Sequence, residues 1–225
     1  MFYLYNKIDL KYILYNIKKM IPYYNKDILE VGIDEAGRGP LFGRVYVGGV
    51  ILPQDGDHSL IKDSKKLSPR KRLMVYDYIK DFAIDWSFEY GTAKEIDQYN
   101  ILYITHQTMH KCIKKLNVRP DHILVDGNSF PIFNDGDAIS HTCITSGDNK
   151  YTPIAAASII AKVEHDKYIE NLCDNYEYLD INYGLRKNKG YGTKDHIDGI
   201  KEHGISEWHR KSFGICGRIN KVYIE

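Results

Sequence analysis

The segment that most constrains this chain is Glu30 to Leu52, EVGIDEAGRGPLFGRVYVGGVIL. Two runs rich in β-branched residues, ILEVGID and RVYVGGVIL, read as buried strands. Between them stand Asp34 and Glu35 side by side, then Gly37, Arg38, Gly39 and Pro40. Neighbouring carboxylates raise each other's pKa and resist burial, and glycine and proline interrupt a sheet. A fold that keeps this pattern needs a compensating charge at the strand end. A divalent cation with hard oxygen ligands, Mg2+ or Mn2+, supplies one. The glycines let a backbone come close to a ligand, and Arg38 offers a planar donor fork for a phosphate. Successive strand residues face opposite sides of a sheet, so a shared site for Asp34 and Glu35 calls for a bend near Ala36.

Two further acids stand at the ends of strand-like runs. Asp126 follows ILV, and Asp148 follows ITSG. In an open α/β sheet the carboxyl ends of neighbouring strands line one crevice. Taken singly, Asp126 in VDGN and Asp148 in SGDN read equally well as turn residues. Taken with Asp34 and Glu35, they form a candidate metal-binding constellation.

The rest of the chain alternates helix and strand. SPRKRLMVYDYIKDF has Ser68 as a cap and Pro69 at the first helical position, with Leu73, Tyr76 and Ile79 as its apolar stripe. AIDWSFEYGTA reads as a third strand. AKEIDQYNILYITHQTMHKCIKKLN carries Ile96, Ile101, Ile104, Thr108, Met109 and Ile113 at helical spacing. DHILVDGN reads as a short strand, AISHTCITSGD as an edge strand, and TPIAAASIIAKVEHDKYIENLCDNY as a helix whose small N-terminal half packs closely on a sheet or backbone. The order implies an α/β class: a mixed sheet flanked by helices, then a small C-terminal helical part.

Composition excludes some functions. With 31 Lys and Arg against 30 Asp and Glu, net charge is +1, so only a local basic face could bind nucleic acid. Such a rim is expected from DSKKLSPRKR, LRKNKGYGTK and HRKSF, interleaved with Tyr191 and Phe213; His196, His203 and His209 read as phosphate contacts or exposed residues. His106 and His110 lie one helical turn apart without an intervening Glu, and read as structural. The four cysteines, Cys112, Cys143, Cys173 and Cys216, form no C-x-x-C pair and read as free thiols in a reducing, cytoplasmic setting. No apolar run is long enough for a membrane span, and the tyrosine-rich N-terminus is a poor signal peptide.

Six segments, GIDEAGRGPLFG, DSKKLSPRKR, ILVDGN, SGDNKYTPIAAASIIAKVEHD, KGYGTKDH and EHGISEWHRKSFG, occur in that order. Together they resemble type 2 ribonuclease H in its bacterial ribonuclease HII form, from about Val31 to Phe213. The resemblance implies a ribonuclease H-like core over residues 29–180, a C-terminal substrate-binding part over 181–225, and an extension of unknown role over 1–28. It places Asp34, Glu35, Asp126 and Asp148 on the four metal-binding, catalytic acids. It places Gly37, Arg38 and Gly39 on the turn that grips the ribonucleotide, Ser64, Lys65 and Lys66 on a substrate-facing loop, and Tyr191 on the tyrosine that packs against the deoxyribose after the ribonucleotide.

The implied activity is endonucleolytic hydrolysis of RNA in RNA–DNA hybrids, with incision 5′ of single ribonucleotides in duplex DNA. Two Mg2+ or Mn2+ ions are implied, with 5′-phosphate and 3′-hydroxyl products. The implied enzyme is a monomer whose partners are hybrid and ribonucleotide-containing duplexes, with accessory proteins left open. Two departures bear on the fourth acid. Ser146 stands where bacterial members usually have lysine, and the stretch from Asp126 to Asp148 is a few residues longer than usual. Asp166 is the rival for that role and reads as a structural acid. The alternative activities are a type 3 ribonuclease H, which lacks the junction tyrosine, and a non-catalytic hybrid-binding module.

Overall fold

Strands β1 (Glu30–Ala36) and β2 (Val45–Ile51) pair antiparallel with Asp34 opposite Gly48 and Ala36 opposite Tyr46, as their alternation predicts. The computed structural model that shows this describes residues 20–219. β3 (Asp85–Gly91) adds antiparallel to β2. β4 (His122–Asp126) adds to the other side of β1 in parallel, and β6 (Ala138–Ile144) adds in parallel to β4. A two-residue β5 (Phe133–Asn134) closes that flank, giving the order β3-β2-β1-β4-β6-β5. β5 pairs only with Ala138 and Ile139, so the rest of β6 keeps the edge position that its polar sequence implies.

The helices are α1 (Pro69–Phe82), α2 (Ala93–Tyr99), α3 (Ile101–Lys114), α4 (Thr152–Asn175), α5 (Tyr178–Tyr183), α6 (Leu185–Asn188) and α7 (Lys194–His203). Ser68 caps α1 by accepting from the Lys71 N–H. The buried stripe of α1 is Val75, Tyr76 and Ile79, while Leu73 is exposed, one position round the helix from the predicted face. The single helix expected after β3 is two, because Asn100 at φ +69° ends α2 and caps α3.

α4 explains the alanine run. A Cβ on Gly32 of β1 would lie 2.1 Å from the Pro153 carbonyl carbon, and one on Gly48 of β2 would lie 2.3 Å from the Ala157 carbonyl oxygen. Only glycine on the sheet and small residues on the helix allow so close an approach. On the opposite face α3 sets Cys112 and Met109 against Val31, Ile33, Val47, Ile123 and Val125, all nearly or fully buried. Each such aliphatic side chain contributes about 1.5–3 kcal/mol of burial, and together they hold the ends of β1 and β4 rigid. A third apolar cluster joins the C-terminal helices to the end of α4 through Ile169, Leu179, Tyr183, Leu185 and Ile200.

Residues 20–28 are fastened to this body. The Glu30 carboxylate accepts from the Tyr24 and Asn25 N–H groups at 2.7 and 2.6 Å. Ile21 accepts from the Thr152 N–H, one of the otherwise unpaired amides at the start of α4. The expected extension over 1–28 thus divides, and residues 1–19 lie outside the described residues. Among the described residues no helix is long and apolar enough to cross a membrane.

Candidate active site

The strand registers bring the acids together. Ile33 pairs with Val125, so Asp34 and Asp126 lie side by side at the carboxyl ends of two parallel strands. Asp148 sits in the 3-10 turn Gly147–Asn149 just beyond β6, entered through Ser146 in the left-handed region at φ +54°. The Gly147 N–H donates to Asp126 Oδ1 at 2.7 Å, which ties that turn to β4. One carboxylate oxygen from each of Asp34, Asp126 and Asp148 lies within 4.8 Å of the other two.

Glu35 falls outside that set. β1 keeps its ladder through Ala36, so the expected bend is absent there and the chain turns at Gly37 instead. The Glu35 carboxylate pairs with Arg38 at 3.1 Å. Gly37 has φ +88°, and a Cβ there would lie 2.6 Å from the His165 ring. Both facts require glycine.

The electrostatics are those of a site short of positive charge. Burial, then Glu35 and Asp126, push the Asp34 carboxyl well above its usual range. Burial also raises Glu35 against the opposing pull of Arg38, and burial raises Asp126. On the other side, Lys65 reaches Asp148 with its Nζ at 3.2 Å. Burial disfavours the Lys65 ammonium, but the hydrogen bond and charge of Asp148 outweigh this and raise its pKa. Three converging carboxylates, two of them buried, form a hard-oxygen donor set suited to a divalent cation.

The other predicted residues divide. Lys66 Nζ donates to Asn149 Oδ1 beside Asp148. Ser64, which opens the 3-10 turn Ser64–Lys66, is buried rather than substrate-facing, with its Oγ 3.0 Å from Ser158 Oγ. Ser158 in turn stands near Asp34, where its hydroxyl favours the charged carboxylate. Arg38 and Gly39 are exposed, and a Cβ on Gly39 would stand 3.5 Å from Cε1 of Tyr191. The glycine turn and the half-exposed Tyr191 ring therefore meet. Asp166 stands apart from the acidic set: it pairs with Lys162 at 2.7 Å, His165 at 3.1 Å and Arg72 at 3.7 Å. Burial opposes its charge, but these partners hold it below the usual carboxylate range.

His196 and His209 are buried, contrary to the reading of exposed or phosphate-binding rings, and so is Arg210 of the supposed basic rim. Ser158 was missed as well; its signal was a lone hydroxyl in AAASIIA. The basic residues around His209 and Arg210 masked their burial. A groove of about 600 Å3 beside Asn100 and Phe213 does not include the carboxylates.

A family model for ribonuclease HII matches residues 31–216. The chain is 44% identical over 198 residues to the ribonuclease HII of Bacteroides thetaiotaomicron, covering 88% of this chain and 96% of that one. It is 42% identical to the ribonuclease HII of Phocaeicola vulgatus, covering 88% and 95%. Ribonuclease H2 from Pyrococcus horikoshii OT3 shares the fold with a TM-score of 0.70 at 24% identity, over 85% of this chain and 96% of that one. Extent and identity agree with the order of motifs along the chain, which belongs to the ribonuclease HII family.

Proposed function

We propose that this ribonuclease H cleaves RNA in RNA–DNA hybrids and incises duplex DNA 5′ of single embedded ribonucleotides, using two divalent ions held by Asp34, Asp126 and Asp148 and by Glu35, which would exchange its Arg38 partner for the metal. The observation that carries the reading is the meeting of two features: three carboxylates converging at the strand ends, and the Gly37–Gly39 turn lying against Tyr191. Mg2+ or Mn2+ bound by these acids would supply an activated water at neutral pH and stabilise charge on the leaving oxygen, leaving a 3′-hydroxyl and a 5′-phosphate.

The protein's own groups do the rest. Asp34 and Asp126 on their strands and Asp148 on the turn tied to β4 set three carboxyl groups at fixed spacing. The Ser158 hydroxyl favours the charged form of Asp34, and Lys65 and Lys66 present ammonium groups beside Asp148 where a phosphate would approach. The Arg38 turn faces the sugar edge, where the 2′-hydroxyl distinguishes RNA from DNA. Tyr191 offers a ring face to the next sugar, and a flat deoxyribose stacks there better than one carrying a 2′-hydroxyl. The family match, with Tyr191 beside Gly39, favours this over a type 3 activity. The intact acid set argues against a purely binding module. We further read residues 29–180 as the catalytic core and 181–225 as a substrate-binding part, acting as a monomer in the cytoplasm.

The test is cleavage of a DNA duplex containing one ribonucleotide, with Mg2+ or Mn2+ and with chelator, followed by end mapping. Metal-dependent incision 5′ of the ribonucleotide supports the reading. Cleavage of long hybrid alone would favour the type 3 activity.

A further inference from the structure

Arg210 is the largest of the fully buried side chains, in a stretch whose composition reads as a solvated basic rim. No ion pair of Arg210 is found among the described residues. Backbone carbonyls meet its charge instead. Nε donates to Gly43 O at 2.9 Å, Nη1 to Arg38 O at 3.0 Å and Pro40 O at 2.9 Å, and Nη2 to Gly37 O at 2.5 Å. Two backbone bonds join the same two loops, Arg210 N to Leu41 O and Gly43 N to Trp208 O.

Burying a guanidinium without a carboxylate is costly, and an apolar residue would fill the space more cheaply. What an apolar residue could not do is collect four carbonyls of one loop. In a trans peptide the C=O and the following N–H point in opposite directions. Drawing the Gly37 and Arg38 carbonyls inward therefore turns the N–H groups of Arg38 and Gly39 outward. No protein partner for either N–H is found among the described residues. Two adjacent outward amides form an anion- and hydroxyl-binding concavity.

A second tie runs from the neighbouring residue. The Ser206 N–H donates to His209 Nδ1 at 2.9 Å, so the His209 proton sits on Nε2. That proton is donated to His196 Nε2 at 3.1 Å, and His196 Nδ1–H is donated to the Tyr191 carbonyl at 3.0 Å. The chain of bonds runs one way only and needs both rings neutral. His209 and Arg210 together thus fasten both elements of the proposed junction reader, with Leu41 N to Gly190 O at 2.9 Å closing the circuit.

We infer that Arg210 is a positioning residue for ribonucleotide recognition: its guanidinium sets the Gly37–Gly43 loop so that the Arg38 and Gly39 amides face the ribose. This rests on reading the glycine turn as the ribose contact.

The experiment measures binding of a duplex with one ribonucleotide and of the same duplex in DNA alone, in chelator, for wild type, Arg210→Met, Arg210→Lys and Arg38→Ala. The ratio of the two dissociation constants is the readout. A merely structural role lowers the folded fraction and moves both constants equally, leaving the ratio alone. Arg210→Met, which keeps length but has no donors, is expected to reduce the ratio about tenfold, equivalent to ~1.4 kcal/mol. Arg210→Lys should recover part of it. If Arg210→Met does not fold, Pro40→Gly loosens the same loop with Arg210 in place and should lower the ratio too. A wild-type ratio in folded Arg210→Met, or in Pro40→Gly where that variant replaces it, overturns the inference. A ratio near one in wild type overturns the reading of the turn itself, and so does a ratio lost in Arg38→Ala, which keeps both amides and should stay near wild type.

Discussion

Tyr191→Ala should impair incision at a single embedded ribonucleotide more than cleavage of a long RNA–DNA hybrid. The ring is 45% exposed, and its covered part lies by Gly39. Truncation therefore opens no sealed cavity, and the expected stability loss is only about 1 kcal/mol. The turn should stay in place, because His196 holds the Tyr191 carbonyl through the backbone, not the ring. What is lost is stacking on the substrate, worth ~1–3 kcal/mol by alanine substitution for an aromatic under a nucleotide. With nearly half the ring free to be covered, a mid-range value of ~1.4 kcal/mol gives roughly a tenfold loss at the single ribonucleotide. In a long hybrid the next sugar carries a 2′-hydroxyl and the wild type gains less from the ring, so the loss there should be about threefold or smaller. Tyr191→Phe should stay within about twofold on both substrates. Single-turnover rates at saturating enzyme keep product release from masking the chemistry. Equal losses on both substrates would refute junction sensing and leave Tyr191 as a general backbone contact.

Asp34→Asn, Asp126→Asn or Asp148→Asn should each cut turnover by orders of magnitude in folded protein, because charge placement supplies most of the barrier reduction in this chemistry. Asp166→Asn should instead keep most activity and lower stability by on the order of 1–2 kcal/mol, from its partly buried ion pairs; denaturant unfolding beside a cleavage assay separates the two. Stability should also fall in acid through the buried histidine pair. Burial and the neighbouring His196 hold His209 at about 3, below the ordinary value near 6.5. Between those limits the unfolded chain binds more protons, so this contribution is complete above about pH 6.5 and is lost as pH falls. Unfolding midpoints that stay flat from pH 7 to 4 in wild type, or that change identically in His209→Gln, would contradict the neutral pair. A chain beginning at Met20 should keep its activity, whereas one beginning at Tyr23 loses the Ile21 backbone bonds at the start of α4 and should be about 1–3 kcal/mol less stable by thermal unfolding.

The strands, the long helix and the converging acids were legible because each has a local signature. Alternation marks β1 to β3, and the close-packed alanines of α4 announce a backbone neighbour, which proves to include Gly32 and Gly48. Strand ends bearing Asp34 and Asp126 could be inferred to be adjacent from the general behaviour of open sheets. What was not legible depends on partners distant in sequence. Arg210 lies 167 residues from Gly43, and nothing in HRKSF distinguishes a guanidinium that faces water from one surrounded by carbonyls. His196 and His209 have the same difficulty. The bend placed at Ala36 failed because it assumed that both acids must share one face; the ladder continues, and Glu35 instead turns to Arg38. Asn100 broke the predicted helix because a single left-handed residue outweighs an otherwise continuous apolar stripe.

The central claim is that the clustered carboxylates exist to hold divalent cations. Titration of Mn2+ followed by the electron paramagnetic resonance signal of the free ion, in wild type and in Asp126→Asn, tests it without relying on turnover. Wild type should bind Mn2+ with its affinity falling as pH drops, because burial and mutual repulsion keep these carboxyls partly protonated in acid. Asp126→Asn, still folded by circular dichroism, should lose most of that binding. Mn2+ binding in the variant equal to that of wild type would contradict the account.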